Sequence, residues 1–297
     1  MISLLIPIYN FDVRGFVSAL QSECQAGNFE FEILCVDDVS DEAHKVINRE
    51  IAALQGVIYK ELDQKMGRAA IRNLLAAAAR FPLLLFMDCD AKVKTGDFVW
   101  QYLAASDGHS VICGGRSYEE LPPKNKNLLL HWKYGRAKEQ KSAFERSRNP
   151  WFGFMSNSFL IPAAIFQQVK FDEKFQHYGH EDTMFGLELR KKGIPVVHID
   201  NPLDHIGLER AEVFLEKTRQ GLDNLKIIEK FDSQGQTRLL KLWKWCRLTR
   251  LSFLLKLFFA ATGSALLRNL QSEAPSLALF DLYKIGYFSA ISDRREA

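Results

Sequence analysis

The chain has 297 residues, 47% hydrophobic and 25% charged, which excludes a disordered polypeptide, a collagen-like repeat and a disulfide-stapled miniprotein. Its formal net charge of +3 divides unevenly, with −3 on residues 1–232 and +6 on residues 233–297. A mildly acidic body with a basic tail points to a polyanionic surface as partner.

Apolar runs alternate with helical patterns through the first half. The run ISLLIPI (2–8) predicts a strand buried on both faces, starting almost at residue 1. A helix is expected over 13–26, a strand over 31–36 ending in Asp37 and Asp38, and a helix over 41–54. VIYKEL (57–62) reads as a weaker strand, the Ala- and Leu-rich 67–80 as a helix, and LLLFM (83–87) as a strand ending in Asp88-Cys89-Asp90. This alternation predicts an α/β fold with a mostly parallel central sheet flanked by helices. Further on, VICGG (111–115), SNSFLI (156–161) and VVHI (196–199) read as strands, and 181–192 and 209–231 as helices. Residues 117–152 read as polar, basic and loop-like, and the basic stretch 124–148 within them as either a mobile lid over a diphosphate or a solvated helix with a basic face. The main boundary is expected near 232, with a helical C-terminal region over 233–297.

Five cysteines, an odd number without metal or redox spacing, read as free thiols and suit a reducing cytoplasm. The N-terminus has no basic n-region and no cleavage site. The apolar stretch 251–267 is interrupted by Lys256 and is short for a bilayer span. Between 233 and 272 there are seven basic residues and no acidic ones, interleaved with Trp243 and Trp245. Peripheral binding to an anionic inner leaflet is the expectation, with packing on the catalytic domain or dimerisation as alternatives.

Carboxylates at strand ends carry the chemistry, because ligands of open α/β sheets bind beyond the carboxyl ends of the strands. Positions i and i+2 of an extended segment face the same side, so Asp88 and Asp90 can face one ligand. Paired carboxylates need a cation, and hard oxygen ligands suit Mg²⁺ or Mn²⁺, which also bind a substrate diphosphate.

Several motifs then occur in order: SLLIPIYN, CVDDVSDE, GRAAIRN (67–73), LLLFMDCDAKV, and FDEKF (171–175) followed by GHEDTMFGLELRKKG (179–193). Together they resemble a family-2 inverting glycosyltransferase of the GT-A fold over about residues 2–230. The resemblance implies a nucleotide pocket at Pro7, Tyr9, Asp37, Asp38, Arg68, Arg72 and Asp88. Tyr9 would stack near the base or simply cap its strand, Asp38 would bond the base or ribose, and Asp37 would share that work or cap the following helix. Arg68 would serve the pocket or be a solvated helix residue. Asp90 becomes the main metal ligand, Asp88 a ribose or metal contact, and Asp182 the base that deprotonates the acceptor hydroxyl. Glu181 would orient the acceptor and Trp151 would help form a sugar platform. His205 is an additional metal ligand or a hydrogen-bonded loop histidine, and an imidazole ligand would favour Mn²⁺. His198 reads as a satisfied strand residue, and His177 and His180 as acceptor-loop or surface residues.

The implied activity is metal-dependent transfer from a nucleotide sugar, by family preference uridine-linked, to a glycan or lipid-linked acceptor in cell-surface polysaccharide synthesis. The implied location is the cytoplasm, on the inner face of the membrane. A nucleotidyltransferase is the alternative enzyme, disfavoured because PIYNFDVRG lacks a glycine-rich phosphate loop. A non-catalytic sugar- or nucleotide-binding protein is the other. No base-reading motif for nucleic acid is visible.

Overall fold

A computed structural model describes residues 1–173, 179, 181–231, 238–249 and 251–292. In chain order, β1 (Ile2–Ile8), α1 (Arg14–Ala26), β2 (Phe31–Asp37), α2 (Glu42–Asn48), β3 (Val57–Glu61), α3 (Arg68–Ala78) and β4 (Leu83–Met87) follow the expected alternation. Next come β5 (Ala91–Lys92), α4 (Phe98–Ala105), β6 (Val111–Cys113), β7 (Arg116–Ser117), α5 (Leu129–Tyr134) and α6 (Ala143–Ser147). Then follow β8 (Ser158–Pro162), α7 (Ala163–Val169), α8 (Glu181–Lys191), β9 (Val196–His198) and β10 (Leu203–His205). Four helices end the chain: α9 (Ala211–Phe231), α10 (Arg238–Leu248), α11 (Leu251–Leu270) and α12 (Leu277–Ser292).

The chain forms two compact units, and the first holds residues 1–119, 138–176 and 181–207. Its seven-stranded sheet has the order β3-β2-β1-β4-β8-β6-β9. β1 pairs in parallel with both β2 and β4, while β8 runs antiparallel to β4 and β6. The alternation of β1 explains its unbroken apolar sequence, because both faces are covered. Leu4 and Ile6 join Val17 and Leu20 in a cluster on one face, and Leu5 joins Leu75 and Phe86 in a cluster on the other. A second sheet, β5-β10-β7, is only three strands of two or three residues.

The second unit holds residues 120–137, 177–180 and 208–297. Its core is helical, with Leu130, Leu215, Leu266, Phe280 and Tyr283 in one cluster and Leu222, Leu225, Leu240, Trp243, Ile285 and Phe288 in another. Compactness therefore divides the chain differently from composition: the composition change near 232 falls inside this unit, between helices that share these clusters.

Two expectations need correction. The 117–152 stretch is not a loop, because it contains α5, a π-turn over Gly135–Glu139, and α6. Leu129, Leu130 and His131 are buried along α5, and a Ser142–Glu145 capping box starts α6. Nor is Trp243 an interfacial residue: it is buried, edge-on to Phe288 at 5.3 Å.

Candidate active site

The loops that follow β1 and β2 are locked together. The Asn10 amide donates to Ser40 Oγ at 2.8 Å, and the Asp41 amide donates to Asn10 Oδ1 at 2.7 Å. Val39 between them has φ +64°, a strained conformation for a β-branched residue. Asp37 spans that turn: its Oδ1 accepts from the Ser40 amide at 2.7 Å and its Oδ2 from the Tyr59 hydroxyl at 3.3 Å. Asp38 accepts from the Met66 and Gly67 amides at 2.6 and 3.0 Å, fixing the entry to α3. Both acids of the CVDD motif thus fix the loops at the carboxyl ends of the strands. Pro7 lies opposite Val36 in the β1–β2 ladder. Tyr9 is exposed, with Lys65 Nζ 3.5 Å from its ring centroid.

Asp88, just past β4, lies between two guanidinium groups. Arg72 donates to its Oδ1 at 2.7 Å and Arg116 to its Oδ2 at 3.3 Å. Arg72 is only 2% exposed and lies 5.5 Å from the Phe171 ring centroid, so α3 delivers a buried charge to Asp88. Arg116 also donates to Glu139 at 3.2 Å, and Glu139 accepts from the Tyr118 hydroxyl.

The small sheet assembles the neighbouring group. Register places His205 opposite Ala91, and the Ile206 amide donates to the Asp90 carbonyl at 2.9 Å. Asp90 Oδ1 consequently lies 3.4 Å from His205 Nδ1. Burial pushes the Asp90 carboxyl up, but His205, Arg116 and Arg68 outweigh it and hold the group well below the usual carboxylate range. Asp88, Asp90, Arg116, Asn157 and His205 line one small cavity. Asn157 is 5% exposed, and its Oδ1 has no hydrogen-bond partner among the described residues. A carboxylate, an imidazole and an orphan amide oxygen make a donor set that suits a divalent cation. Among the described residues, no three His, Cys, Asp or Glu side chains form a complete metal cage.

Glu181 and Asp182 open α8. Burial acts to raise Glu181, yet Arg68 and Arg72 hold it below its ordinary value, and Arg68 pairs with it at 3.2 Å. Asp182 goes the other way: burial, then the charge of Glu181, push it up to about 6 against hydrogen bonds from Ser156. Adjacent carboxylates whose environments drive them apart are a recurring acid–base arrangement.

The remaining candidates are placed as follows. Trp151 is half-buried and its Nε1 donates to the Ile194 carbonyl at 2.9 Å, so the indole is anchored by its polar edge. His198 is bonded at both nitrogens, to Arg146 at 2.6 Å and the Pro150 carbonyl at 3.0 Å, and burial lowers it to about 4. Arg146, counted by sequence in the basic stretch, is buried and donates to the carbonyls of Cys113, Gly114 and Ile199. His177 and His180 lie outside the described residues. Sequence reasoning missed Arg116, Asn157, Ser156, Tyr118 and Glu139. The signal available for Arg116 was its place directly after VICGG, another apolar run ending at the same sheet edge.

Comparison with known proteins agrees with this architecture. Residues 3–168 match the profile of Glycosyl transferase family 2. The chondroitin synthase of Escherichia coli is 27% identical over 228 residues, covering 65% of this chain and 32% of that protein. The chain therefore spans about a third of that relative's length. S. aureus TarS 1–349, solved with UDP, superimposes with a TM-score of 0.51 at 14% identity, covering 100% of this chain and 92% of that one. Glucosyl-3-phosphoglycerate synthase from Mycobacterium tuberculosis, solved with Mn²⁺, UDP and glucosyl-3-phosphoglycerate, gives 0.51 at 13% identity over 76% of this chain and 78% of that one. At these identities the solved structures establish a shared GT-A fold. The profile match spans more than half of the chain, and the protein belongs to glycosyl transferase family 2.

Proposed function

We infer that the protein transfers a sugar, with inversion at the anomeric carbon, from a uridine-linked nucleotide sugar to a hydroxyl of a glycan or lipid-linked acceptor. The observation that carries this reading is the Asp90–His205 pair at 3.4 Å, closed by the small sheet beside the arginine-bound Asp88. Asp90 and His205 would hold Mn²⁺ or Mg²⁺, with Asn157 Oδ1 close by and the donor's phosphate oxygens completing the shell. When bound, the cation supplies charge to offset the departing diphosphate. Asp88 is already neutralised by Arg72 and Arg116, so its role is to hold the ribose side of the pocket rather than the cation.

Inversion is one in-line displacement, and a base on the opposite face must take the acceptor proton. Asp182 has that role: raised to about 6, it is ionised at neutral pH yet basic enough to accept a proton as the new bond forms. Glu181, fixed by Arg68, orients the acceptor beside it. The α2–α3 side of the cleft, with Tyr9, Pro7 and the Asp38-bound loop, receives the nucleoside. A uridine-linked donor is supported by the UDP in two fold relatives, and a divalent cation by the Mn²⁺ in one of them. A role in cell-surface polysaccharide synthesis is supported by the likeness to chondroitin synthase. That role puts the reaction on the cytoplasmic side of the membrane.

The test is a panel of nucleotide sugars assayed for nucleoside-diphosphate release with and without Mn²⁺. Release from a uridine donor that requires Mn²⁺ and is lost in Asp90→Ala is expected. No release from any donor, or release indifferent to Asp90→Ala, overturns the reading.

A further inference from the structure

The second unit carries a surface that the transfer reaction does not use. Of the large hydrophobic side chains exposed among the described residues, eight fall between Leu242 and Phe258, and the others are scattered along the chain. On α10, Leu242, Trp245 and Leu248 recur every three residues, and Leu248 is 85% exposed. On α11, Phe253, Leu254, Leu257 and Phe258 recur at i, i+1, i+4 and i+5, the spacing of one helix face, and Phe253 is 61% exposed. Isolated exposed leucines need no explanation, but a run of this density marks an interaction surface.

The charges along this stretch of sequence are of one sign. Lys241, Lys244, Arg247, Lys256 and Arg268 belong to these two helices, and no acidic residue lies between 233 and 272. By length and composition α11 could cross a membrane. Its packing argues for lying flat instead. Leu266 and Leu270 are buried in the helical core, and Phe259 meets the Tyr283 ring edge-on at 5.5 Å. A Cβ added at Gly286 on α12 would fall 2.7 Å from Phe259 Cδ2, so the two helices approach closely through that glycine. A helix with one face seated on protein and the other bearing exposed Phe and Leu beside lysines has the form of an interfacial helix.

We propose that the exposed face of α10 and α11 docks this protein on an anionic lipid bilayer, with Phe253, Leu254, Leu257 and Phe258 entering the interface. Trp245, 55% exposed, sits with them at headgroup depth, and the basic residues engage the lipid phosphates. The occupant is a bilayer because the face joins exposed apolar area to the positive charge of a stretch without acidic residues, Lys241 and Lys244 among it. A second copy would bring the same positive charge against itself. The proposal does not rest on the catalytic reading, since every residue it uses lies in the helical unit.

The experiment is flotation of the full chain with vesicles of pure phosphatidylcholine and with vesicles containing about 30% phosphatidylglycerol, while Trp emission is recorded. Binding to the anionic vesicles, weakened by salt and accompanied by a blue shift that Trp245→Phe reduces, is expected. The double variant Phe253→Ser/Leu257→Ser should lose binding at least tenfold while melting as the parent does. Lys241→Glu/Lys244→Glu should lose the preference for anionic vesicles. Absence of vesicle binding by the parent at low salt overturns the proposal. So does undiminished binding by the serine variant, or a dimer that this variant dissolves without any vesicle binding by the parent. Nucleoside-diphosphate release, measured in the same preparations without lipid, should be unchanged in these variants, which separates failure of docking from failure of the catalytic reading.

Discussion

As the proposed base, Asp182 couples stability to activity. Its folded-state carboxyl is raised to about 6, above the ordinary 3.8, so folding favours its protonated form. That contribution is fully present below the ordinary value and is lost as pH rises through about 6. At pH 8 the ionised group is a liability that Asp182→Asn removes. The variant should therefore be more stable there by about 1–2 kcal/mol, part of the ~3 kcal/mol that two pKa units represent, and denaturant melts should converge below about pH 4. The parent's kcat/KM should rise through pH 6 and level off above it, because the base works only when ionised. Asp182→Asn should abolish transfer yet still bind donor. Loss of donor binding in Asp182→Asn would contradict the base assignment, and a parent rate falling between pH 5 and 7 would contradict the ionisation state. Sequence indicated Glu181 and Asp182 as a pair of helix-opening acids. It did not indicate that burial acts on both, that Arg68 and Arg72 outweigh it at Glu181, and that it prevails at Asp182, because both arginines reach the site from α3, over 100 residues away.

The elements divide by length in how far the sequence reveals them. β1, β2 and β4 and the helices α1, α3 and α9 are long enough to carry a hydrophobic period, and each lies within a few residues of its expected span. β5, β7 and β10 have two or three residues each and no apolar run to mark them, as VICGG and VVHI mark the equally short β6 and β9, yet their pairing sets Asp90 beside His205. The antiparallel direction of β8 was equally invisible, since it depends on which neighbours the strand meets. The loop after β10 supplies a test of this assembly. A Cβ on Gly207 would lie 2.6 Å from Asp90 Cβ and Oδ2, so Gly207→Ala must push the carboxylate aside. Gly207 does not need a positive φ, so the change costs nothing there, but Asp90 Cβ is fixed to the main chain and the local backbone must shift with the carboxylate; the large cores on the main sheet are untouched. Mn²⁺ affinity measured by electron paramagnetic resonance should fall roughly tenfold or more, about 1.4 kcal/mol, with melting shifted by no more than a few degrees. Unaltered Mn²⁺ affinity in Gly207→Ala would remove the small sheet from the account of the cation site.

At the scale of the whole chain, composition and packing draw different lines. The basic tail begins near 232, but the helices before and after that point share their cores. Leu215 of α9 lies with Leu266, Leu270 and Phe280, and Leu222 and Leu225 lie with Leu240, Trp243 and Phe288. Arg219 Nε donates to the Tyr283 hydroxyl at 2.7 Å, and Lys226 Nζ donates to the carbonyls of Ile291 and Ser292 at the end of α12. Ending the chain at residue 232 would strip these partners from α9 and return three buried leucines to water, each worth about 1.5–3 kcal/mol. Such a fragment should elute as aggregate or as an expanded species, bind a hydrophobic dye and melt less cooperatively than the full chain. The exposed face of α10 and α11 therefore has to be probed by surface substitutions, because deletion would expose a second apolar surface of its own. A monodisperse 1–232 fragment with the parent's melting profile would mean that α9 holds its fold without α10, α11 and α12, and that composition marks the structural boundary after all.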